Sequence, residues 1–481
     1  MKKNLTLLLA LLMLAPAAVS CAEDEGTASE ETTAEQTVPA AAVESEPEPE
    51  ETEEEAPDFP EMDCEGYTFT FLNGNTGYAY CDIVPDEETG DVVYDTLFRR
   101  NVKIEEQYNL RFHEVSSSDI KQEALQLVLA GDNGFDIALM QCEWALQLVL
   151  ENAAVDYADL PFVDTSRPWW NQNALETMSI NGKTYFGLNE FDITHFETVR
   201  TIFFNQSMIE QYDLPSLYTL VAEGKWTLDR MKEYGTAVAS DLNGNGSWDD
   251  SDQYAFTAWG NVGAPALMIG VGAPLTLSKD ENDFPYFSMD TEYYYDRLTA
   301  VTLMLFCQEG FLDPYYDDFR FNNGAALFYI NNIAKAVSMR EMEDTFGFLT
   351  MPKYSEEQEE YYNYGGSPFY MVIPPNAPNF MRTGVIMESL GYESYNVVGN
   401  AYYDVLLQGK LTRNEDSVAM LDLIFSSLMY QNPTSQSFVQ SNLVDLYIWK
   451  NKTDFASYFE GKKKKIQTEI DKVIESYQNL G

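Results

Sequence analysis

Apolar residues follow two different spacings along the body of this chain. The run 67–72 (YTFTFL) is rich in aromatic and β-branched residues, which is typical of a strand. Val93 and Leu97 lie four positions apart in the segment that follows, a spacing that predicts a helix. The run 135–140 is almost wholly apolar, as expected of a strand buried on both faces. With a second strand at 110–115 and a second helix after it, the pattern predicts a parallel sheet wrapped by helices.

The second half of the chain continues this alternation. Further strands are predicted at 325–330 and 370–373, and the segment from about 416 to 477 is helical by pattern. Ligands of such α/β sheets bind outside the carboxyl ends of the strands. Asn73 follows the first predicted strand and Trp144 follows the third, so both are expected beside a binding site.

The N-terminus predicts export. A basic start is followed by an apolar run at 5–18, which is too short to span a bilayer as a mature helix. The sequence 18–21 (AVSC) then resembles a bacterial lipobox, which implies a signal peptide at 1–20 and a lipidated, palmitoylated Cys21. Ordinary cleavage near Ser20, with no lipid, remains the alternative. A lipid anchor would hold the protein on the outer face of the cell membrane without a spanning helix.

The composition separates a linker from a body. Residues 21–65 carry many acidic side chains and no Lys or Arg, which predicts an extended, disordered spacer. The whole chain has 29 Lys and Arg against 78 Asp and Glu, a net charge of −49, which argues against nucleic-acid binding. Its two histidines leave little room for a histidine-based zinc site. Cys64 and Cys81 flank the first strand, and whether they form a disulfide is left open.

Several short motifs occur in a consistent order along the body. They are GFDIALM at 134–140, YADLP at 157–161, INGKTYF at 180–186, TIFFN at 201–205, GKWTL at 224–228, FNNGAA at 321–326 and FGFLTMPK at 346–353. Their order and spacing resemble those of bacterial extracellular solute-binding proteins (family 1-like) of ABC importers, and most of all the carbohydrate-binding subset. The resemblance covers about residues 66–450.

This resemblance implies an α/β fold of the periplasmic-binding-protein type II. Two lobes, each with a mainly parallel sheet flanked by helices, would be joined by hinge crossovers and close over a ligand. Lobe 1 is expected at 66–188 plus 318–366, and lobe 2 at 189–317 plus 367–481. The implied partners are a sugar or oligosaccharide and the permease subunits of the importer, with the protein acting as a monomer and without catalysis.

Aromatic rings stack on sugar faces, and polar or charged side chains bind the hydroxyl groups. Residues of these types in loops that face the expected cleft are the predicted ligand contacts: Asn73, Trp144, Asp192, Trp259, Asn261, Arg340 and Tyr364. Two other functions stay open. Capture of a peptide or another polar solute needs only the same fold. A surface carbohydrate-active enzyme needs two carboxylates about 5–10 Å apart across the scissile bond.

The segment 241–252 (DLNGNGSWDDSD) predicts a structural calcium loop. Calcium prefers six to eight oxygen ligands at alternating positions around a glycine turn. The predicted ligands are Asp241, Asn243, Asn245, Ser247 through its carbonyl, Asp249 and Asp252. The segment after the loop reads as a strand, so a full helix-loop-helix is not expected. A set of Asx-turns without metal is the alternative.

Overall fold

The computed structural model describes residues 57–75, 77–78, 80–258, 263–313, 318–407, 415–435 and 451–480. The predicted signal peptide and most of the linker lie outside these ranges, as do Cys21, Trp259 and Asn261. Within the described ranges, no helix is both long enough and apolar enough to cross a bilayer.

Most strands fall where the apolar runs predict them. In chain order they are β1 Tyr67–Asn73, β2 Leu110–Ser116, β3 Ile137–Gln141, β4 Phe186–Gly187, β5 Arg200–Asn205, β6 Tyr254–Ala258, β7 Ser278–Lys279, β8 Pro285–Tyr286, β9 Ala326–Asn332, β10 Phe346–Leu349, β11 Asn363–Tyr364, β12 Phe369–Val372 and β13 Leu428–Met429.

The helices alternate with these strands. They are α1 Val92–Tyr108, α2 Ile120–Ala130, α3 Cys142–Leu150, α4 Gln172–Met178, α5 Thr194–Glu197, α6 Gln206–Gln211, α7 Leu217–Ala222, α8 Leu228–Val238, α9 Gly263–Gly270, α10 Glu292–Leu305, α11 Phe319–Asn322, α12 Lys335–Ser338, α13 Phe380–Ser394, α14 Val397–Leu406, α15 Glu415–Ser426, α16 Pro433–Ser435 and α17 Phe455–Asn479. The predicted helical segment 416–477 is therefore corrected, because β13 interrupts it.

Local sequence explains where the longer helices begin. The Asp91 carboxylate accepts hydrogen bonds from the N–H groups of Val93 and Tyr94, which caps α1. Thr227 caps α8 in the same way through the N–H of Arg230, as its position before the helix predicts. Because Val93 and Leu97 are almost fully buried, the apolar face of α1 lies against the core.

The first sheet has the strand order β2-β1-β3-β12-β4. β1 pairs in parallel with β2 and β3, which confirms the predicted parallel core of this sheet. β12 runs antiparallel to both β3 and β4. β3 is buried in all positions but Gln141, as its continuous apolar run requires.

The second sheet has the order β13-β11-β5-β9-β6, and β10 also pairs with β5. β6 and β9 are parallel, whereas β5 runs antiparallel to β9, β10 and β11. All six residues of β5 are buried, so this strand is the centre of the second lobe.

The sheet pairing corrects the predicted division into lobes. Residues 318–366 were expected in lobe 1, yet their strands β9, β10 and β11 all pair within the second sheet. Conversely, β12 lies in the predicted lobe 2 segment 367–481 but joins the first sheet. An apolar run specifies a strand without naming its neighbour, because the partner is set by pairing over long sequence distances.

Two of the chain's crossings between the sheets lie side by side. One is the segment 188–199 between β4 and β5, and the other is the short segment between β11 and β12. The Thr198 hydroxyl donates to the Gly365 carbonyl at 2.9 Å, and the Phe369 N–H donates to the Thr194 hydroxyl oxygen at 2.9 Å. Gly366 has φ +76°, and a Cβ there would lie 1.9 Å from the Thr198 carbonyl oxygen, so the close approach of the crossovers requires glycine.

Candidate functional site

Asn73 shapes the loop that follows β1. Its side-chain nitrogen donates to the Cys81 carbonyl at 2.8 Å and to Glu114 at 2.7 Å, while its oxygen accepts the N–H of Asn75 at 2.8 Å. Asn73 is 1% exposed. These hydrogen bonds show that Asn73, a predicted ligand contact, holds the loop after β1 in place.

The side chain of Tyr78 links this loop to the second sheet. Its ring meets that of Phe369 edge to face, with 6.4 Å between the ring centroids. Burial raises the pKa of Tyr78, and the charge of Arg200 and a hydrogen bond from Asn332 partly oppose that effect. Tyr78 thus brings the first-sheet loop against residues of β5 and β9.

Arg200 is the first residue of β5 and lies at the same end of the second sheet. In the strand register it faces Asn332 of β9 and Tyr364 of β11. Directly opposite residues of antiparallel strands project from the same face of the sheet, so these three side chains are neighbours. Arg200 is 9% exposed, and burial lowers the pKa of its guanidinium.

Tyr364 and the start of α3 complete this end of the site. Tyr364 is buried, and its hydroxyl donates to Gln431 at 3.0 Å. Burial raises the pKa of Tyr364, and Glu143 adds to the increase, so the first turn of α3 lies nearby. Burial also raises the pKa of Glu143 itself. The adjacent Trp144 is partly buried and packs against the larger core.

We call Tyr78, Arg200, Asn332 and Tyr364 the interlobe cluster. It joins a loop of the first sheet to the ends of three strands of the second. Its members combine phenol rings, an amide and a guanidinium, which are groups that stack on a sugar ring or bind hydroxyl groups. Of the predicted contacts, Tyr364 belongs to this cluster. Trp144 directly follows Glu143 in the sequence.

Asp192 and Arg340 have partners within the protein. Asp192 is buried in the first crossover, where its carboxylate accepts the hydroxyl and the N–H of Thr194. Burial raises the pKa of Asp192 to about 6, although Thr194 and His195 oppose the shift. Arg340 donates to the Val405 carbonyl at 2.8 Å, which links the end of α12 to α14. The Asp192 contacts fix the first crossover, and the Arg340 contact holds α14 against the segment that follows α12.

Sequence reasoning missed Tyr78, Arg200, Asn332 and Glu143. One signal was available, since Arg200 directly precedes the apolar run 201–205. A charged residue at the edge of a buried strand needs a polar partner, and such residues often mark a site. Tyr78 and Asn332 carry no comparable signal, because the fold brings them together over 254 positions (332 − 78).

The predicted calcium loop lies between α8 and β6. Asp241 accepts the N–H groups of Gly244 and Gly246, and the buried Asp252 accepts those of Leu242 and Asp249. Bonds from side chains of the loop lower the pKa of Asp249 to about 2. Asx-turns thus shape the loop, and they use the side-chain oxygens at the alternating positions as acceptors. Among the described residues, no group of three or more His, Cys, Asp or Glu side chains forms a metal site.

The cysteines of the described body are free thiols. Cys64 and Cys81 are half-buried and are not bonded to each other, which settles the pairing that the sequence left open. Cys142 is buried, as expected of a small apolar side chain, whereas Cys307 is only half-buried.

Solved structures share this architecture. A solute-binding protein from Thermotoga lettingae, bound with α-D-tagatose, aligns with a TM-score of 0.53 and 13% identity, over 85% of this chain and 100% of that one. RafE from Streptococcus pneumoniae gives 0.52 and 13%, over 85% and 97%. A cyclo/maltodextrin-binding protein complexed with maltotetraose gives 0.55 and 11%, over 86% and 96%. No family model matches the chain, and no curated protein matches it.

The chain therefore has the two-lobed α/β fold of the ABC-importer solute-binding proteins, as the sequence motifs imply. At these low identities the likeness establishes the fold, and the ligand has to be argued from the site.

Proposed function

We propose that this protein captures a sugar or an oligosaccharide between its lobes and delivers it intact to an ABC importer. The observation that carries the proposal is the interlobe cluster. It places phenol rings and hydrogen-bonding groups where the two sheets meet, which is where a ligand held between closing lobes would lie. Two of the neighbours that share the fold are described as binding proteins with a sugar bound, which supports capture rather than turnover.

Direct binding measurements test this proposal. A thermal-shift screen against a glycan panel, followed by calorimetry, is expected to find a saccharide that binds. Tyr78→Ala is then expected to weaken its binding by about tenfold or more, because an aromatic contact and a hydroxyl are lost together, a loss of about 1.4 kcal/mol. Tyr286→Ala removes an exposed ring on β8 and serves as the matched control.

Three results would contradict the proposal. One is a screen in which no glycan binds, and another is a Tyr78→Ala variant with wild-type affinity. Recovery of a cleaved saccharide after incubation would instead indicate the carbohydrate-active enzyme, and binding of peptides alone would indicate the peptide receptor.

We also propose that the protein is held on the extracellular face of the cell membrane by lipid on Cys21. The lipobox-like sequence 18–21 and the acidic segment behind it support this location. A tether of this kind would keep the body close to the permease while leaving its lobes free to close.

Calcium binding by the loop 241–252 is proposed as a structural aid. Asp241, Asn243, Asn245 and Asp249 supply hard oxygen atoms at alternating positions, which is the donor set calcium prefers. The ion would add charge neutralisation to a loop that Asx-turns already shape. Its expected effect is on stability.

A further inference from the structure

Arg200 differs from the other buried arginines of the described chain. Arg100 donates to the Phe191 carbonyl at 2.8 Å and to the side chain of Asn101. Arg320 pairs with Asp250 at 2.7 Å and with Asp313 at 3.5 Å. For Arg200, by contrast, the buried Nε and Nη1 atoms have no hydrogen-bond partner in the part of the chain that the structure describes.

Within the described ranges, no carboxylate forms an ion pair with Arg200. Tyr78, Tyr364 and Tyr329 are the groups that act on it electrostatically. Burial raises the pKa of Tyr78 and of Tyr364, so their hydroxyl groups are neutral at physiological pH. Asn332, its cross-strand partner, is also neutral, and its side-chain oxygen is buried with no hydrogen-bond partner among the described residues.

A guanidinium in this position is costly to the free protein. Removing a charge from water costs several kcal/mol unless a counter-ion and hydrogen bonds replace the solvent. Buried polar groups without partners are rare in folded proteins, so each one calls for an explanation. A ligand that supplies a negative charge to Arg200 would remove this cost at the moment of binding.

Resting on the proposed function, we propose that Arg200 binds the carboxylate of an acidic saccharide, such as an oligosaccharide that contains uronic acid. Guanidinium donors match a carboxylate better than an isolated hydroxyl, because charge-assisted hydrogen bonds are shorter and about twice as strong. The phenol rings of the interlobe cluster would contact the sugar ring, while Arg200 reads the acidic group.

Two carboxylates near the cluster restrict where the ligand's charge can lie. Glu143 acts on Tyr364, and Glu197 acts on Tyr78 while its Oε1 atom accepts the Tyr80 N–H at 3.2 Å. An anion placed beside either glutamate would be repelled. The carboxylate of the saccharide is therefore held at Arg200 itself, which orients the sugar in the cleft.

The test compares saccharides that differ only in the oxidation state at C6. Trigalacturonate and galactotriose form one pair, and glucuronate-containing and glucose-only oligosaccharides of equal length form another. Calorimetry with the full chain is expected to show at least tenfold tighter binding of the acidic member of one pair. Arg200→Gln is expected to abolish that preference, so that the acidic member binds no more tightly than its neutral counterpart. Arg200→Lys retains part of the preference, because the charge remains while the planar fork is lost.

The outcomes separate this inference from the proposed function. Neutral saccharides that bind as tightly as their acidic counterparts would overturn the role of Arg200 and leave sugar capture standing. The same holds if Arg200→Gln keeps the wild-type preference. The wild-type comparison decides the matter even if Arg200→Gln fails to fold. Binding of neither member of any pair would overturn this inference, and a glycan panel in which nothing binds would overturn sugar capture as well.

Discussion

Glu388 of α13 holds an aromatic layer under the first sheet. Its carboxylate accepts the indole N–H groups of Trp169 and Trp170, both at 2.8 Å, and the N–H of Asp164 at 3.1 Å. Both indoles are almost fully buried. Burial raises the pKa of Glu388 to about 7 from an ordinary value of 4.5, although these three donors oppose the shift.

The raised pKa of Glu388 predicts that replacing Glu388 lowers the free energy of unfolding by an amount that depends on pH. Between about pH 4.5 and pH 7 the folded chain binds this proton more tightly than the unfolded chain does. The free energy of unfolding therefore falls as pH rises through this window. Glu388→Gln cannot titrate, so replacing Glu388 is expected to cost more at pH 5 than at pH 8, by on the order of 2 kcal/mol.

Urea unfolding of both proteins at the two pH values measures this difference. Glu151→Gln, at an exposed position, controls for the loss of one negative charge. An equal cost at pH 5 and pH 8 would mean that Glu388 is not the titrating group.

The loop 241–252 is the element in which a metal would act. The backbone pairing of Ser240 with Gln253 closes its base, and the turns inside it use side-chain oxygens of the loop itself. If calcium binds, chelation should lower the melting temperature by several degrees, because ligand at about 100 times Kd contributes about 2.7 kcal/mol. Asp241→Ala should abolish that response.

The matched control is Asp280→Ala. Asp280 also accepts two backbone N–H groups, those of Asn282 and Phe284, in an exposed turn outside the loop. This variant should keep the wild-type response to chelation. If neither chelator nor added calcium changes the wild-type melting temperature, the calcium proposal is contradicted and Asx-turns alone are favoured.

At the level of elements, the sequence was sufficient wherever the cause is local. The aromatic and β-branched run at 67–72 predicts β1, and the hydroxyl of Thr227 predicts the start of α8. The sheets to which β9 and β12 belong could not be predicted, because each strand could bury its apolar side chains in either sheet. The interlobe cluster was missed for the same reason, since it depends on which strands lie side by side.

The whole molecule combines a strongly negative chain with a buried arginine, Arg200, in the interlobe cluster. The net charge of −49 repels an anionic ligand at long range, and salt screens such repulsion over about 10 Å. Arg200 therefore attracts the ligand only once the ligand has entered the cleft, since the electrostatic potential of the rest of the protein repels an anion. Acidic saccharides are thus expected to associate faster as salt increases, in contrast to neutral ones.

The location of the protein depends on one residue at the start of the chain. Cys21→Ser removes the thiol that a lipid would modify, and diacyl chains contribute about 0.8 kcal/mol per buried CH₂ to membrane binding. Fractionation of cells is expected to find nearly all of the wild-type protein with membranes and nearly all of Cys21→Ser outside them. Cys64→Ser, which removes a free thiol of the body, should behave as wild type. Retention of Cys21→Ser on membranes would show that another feature holds the protein there.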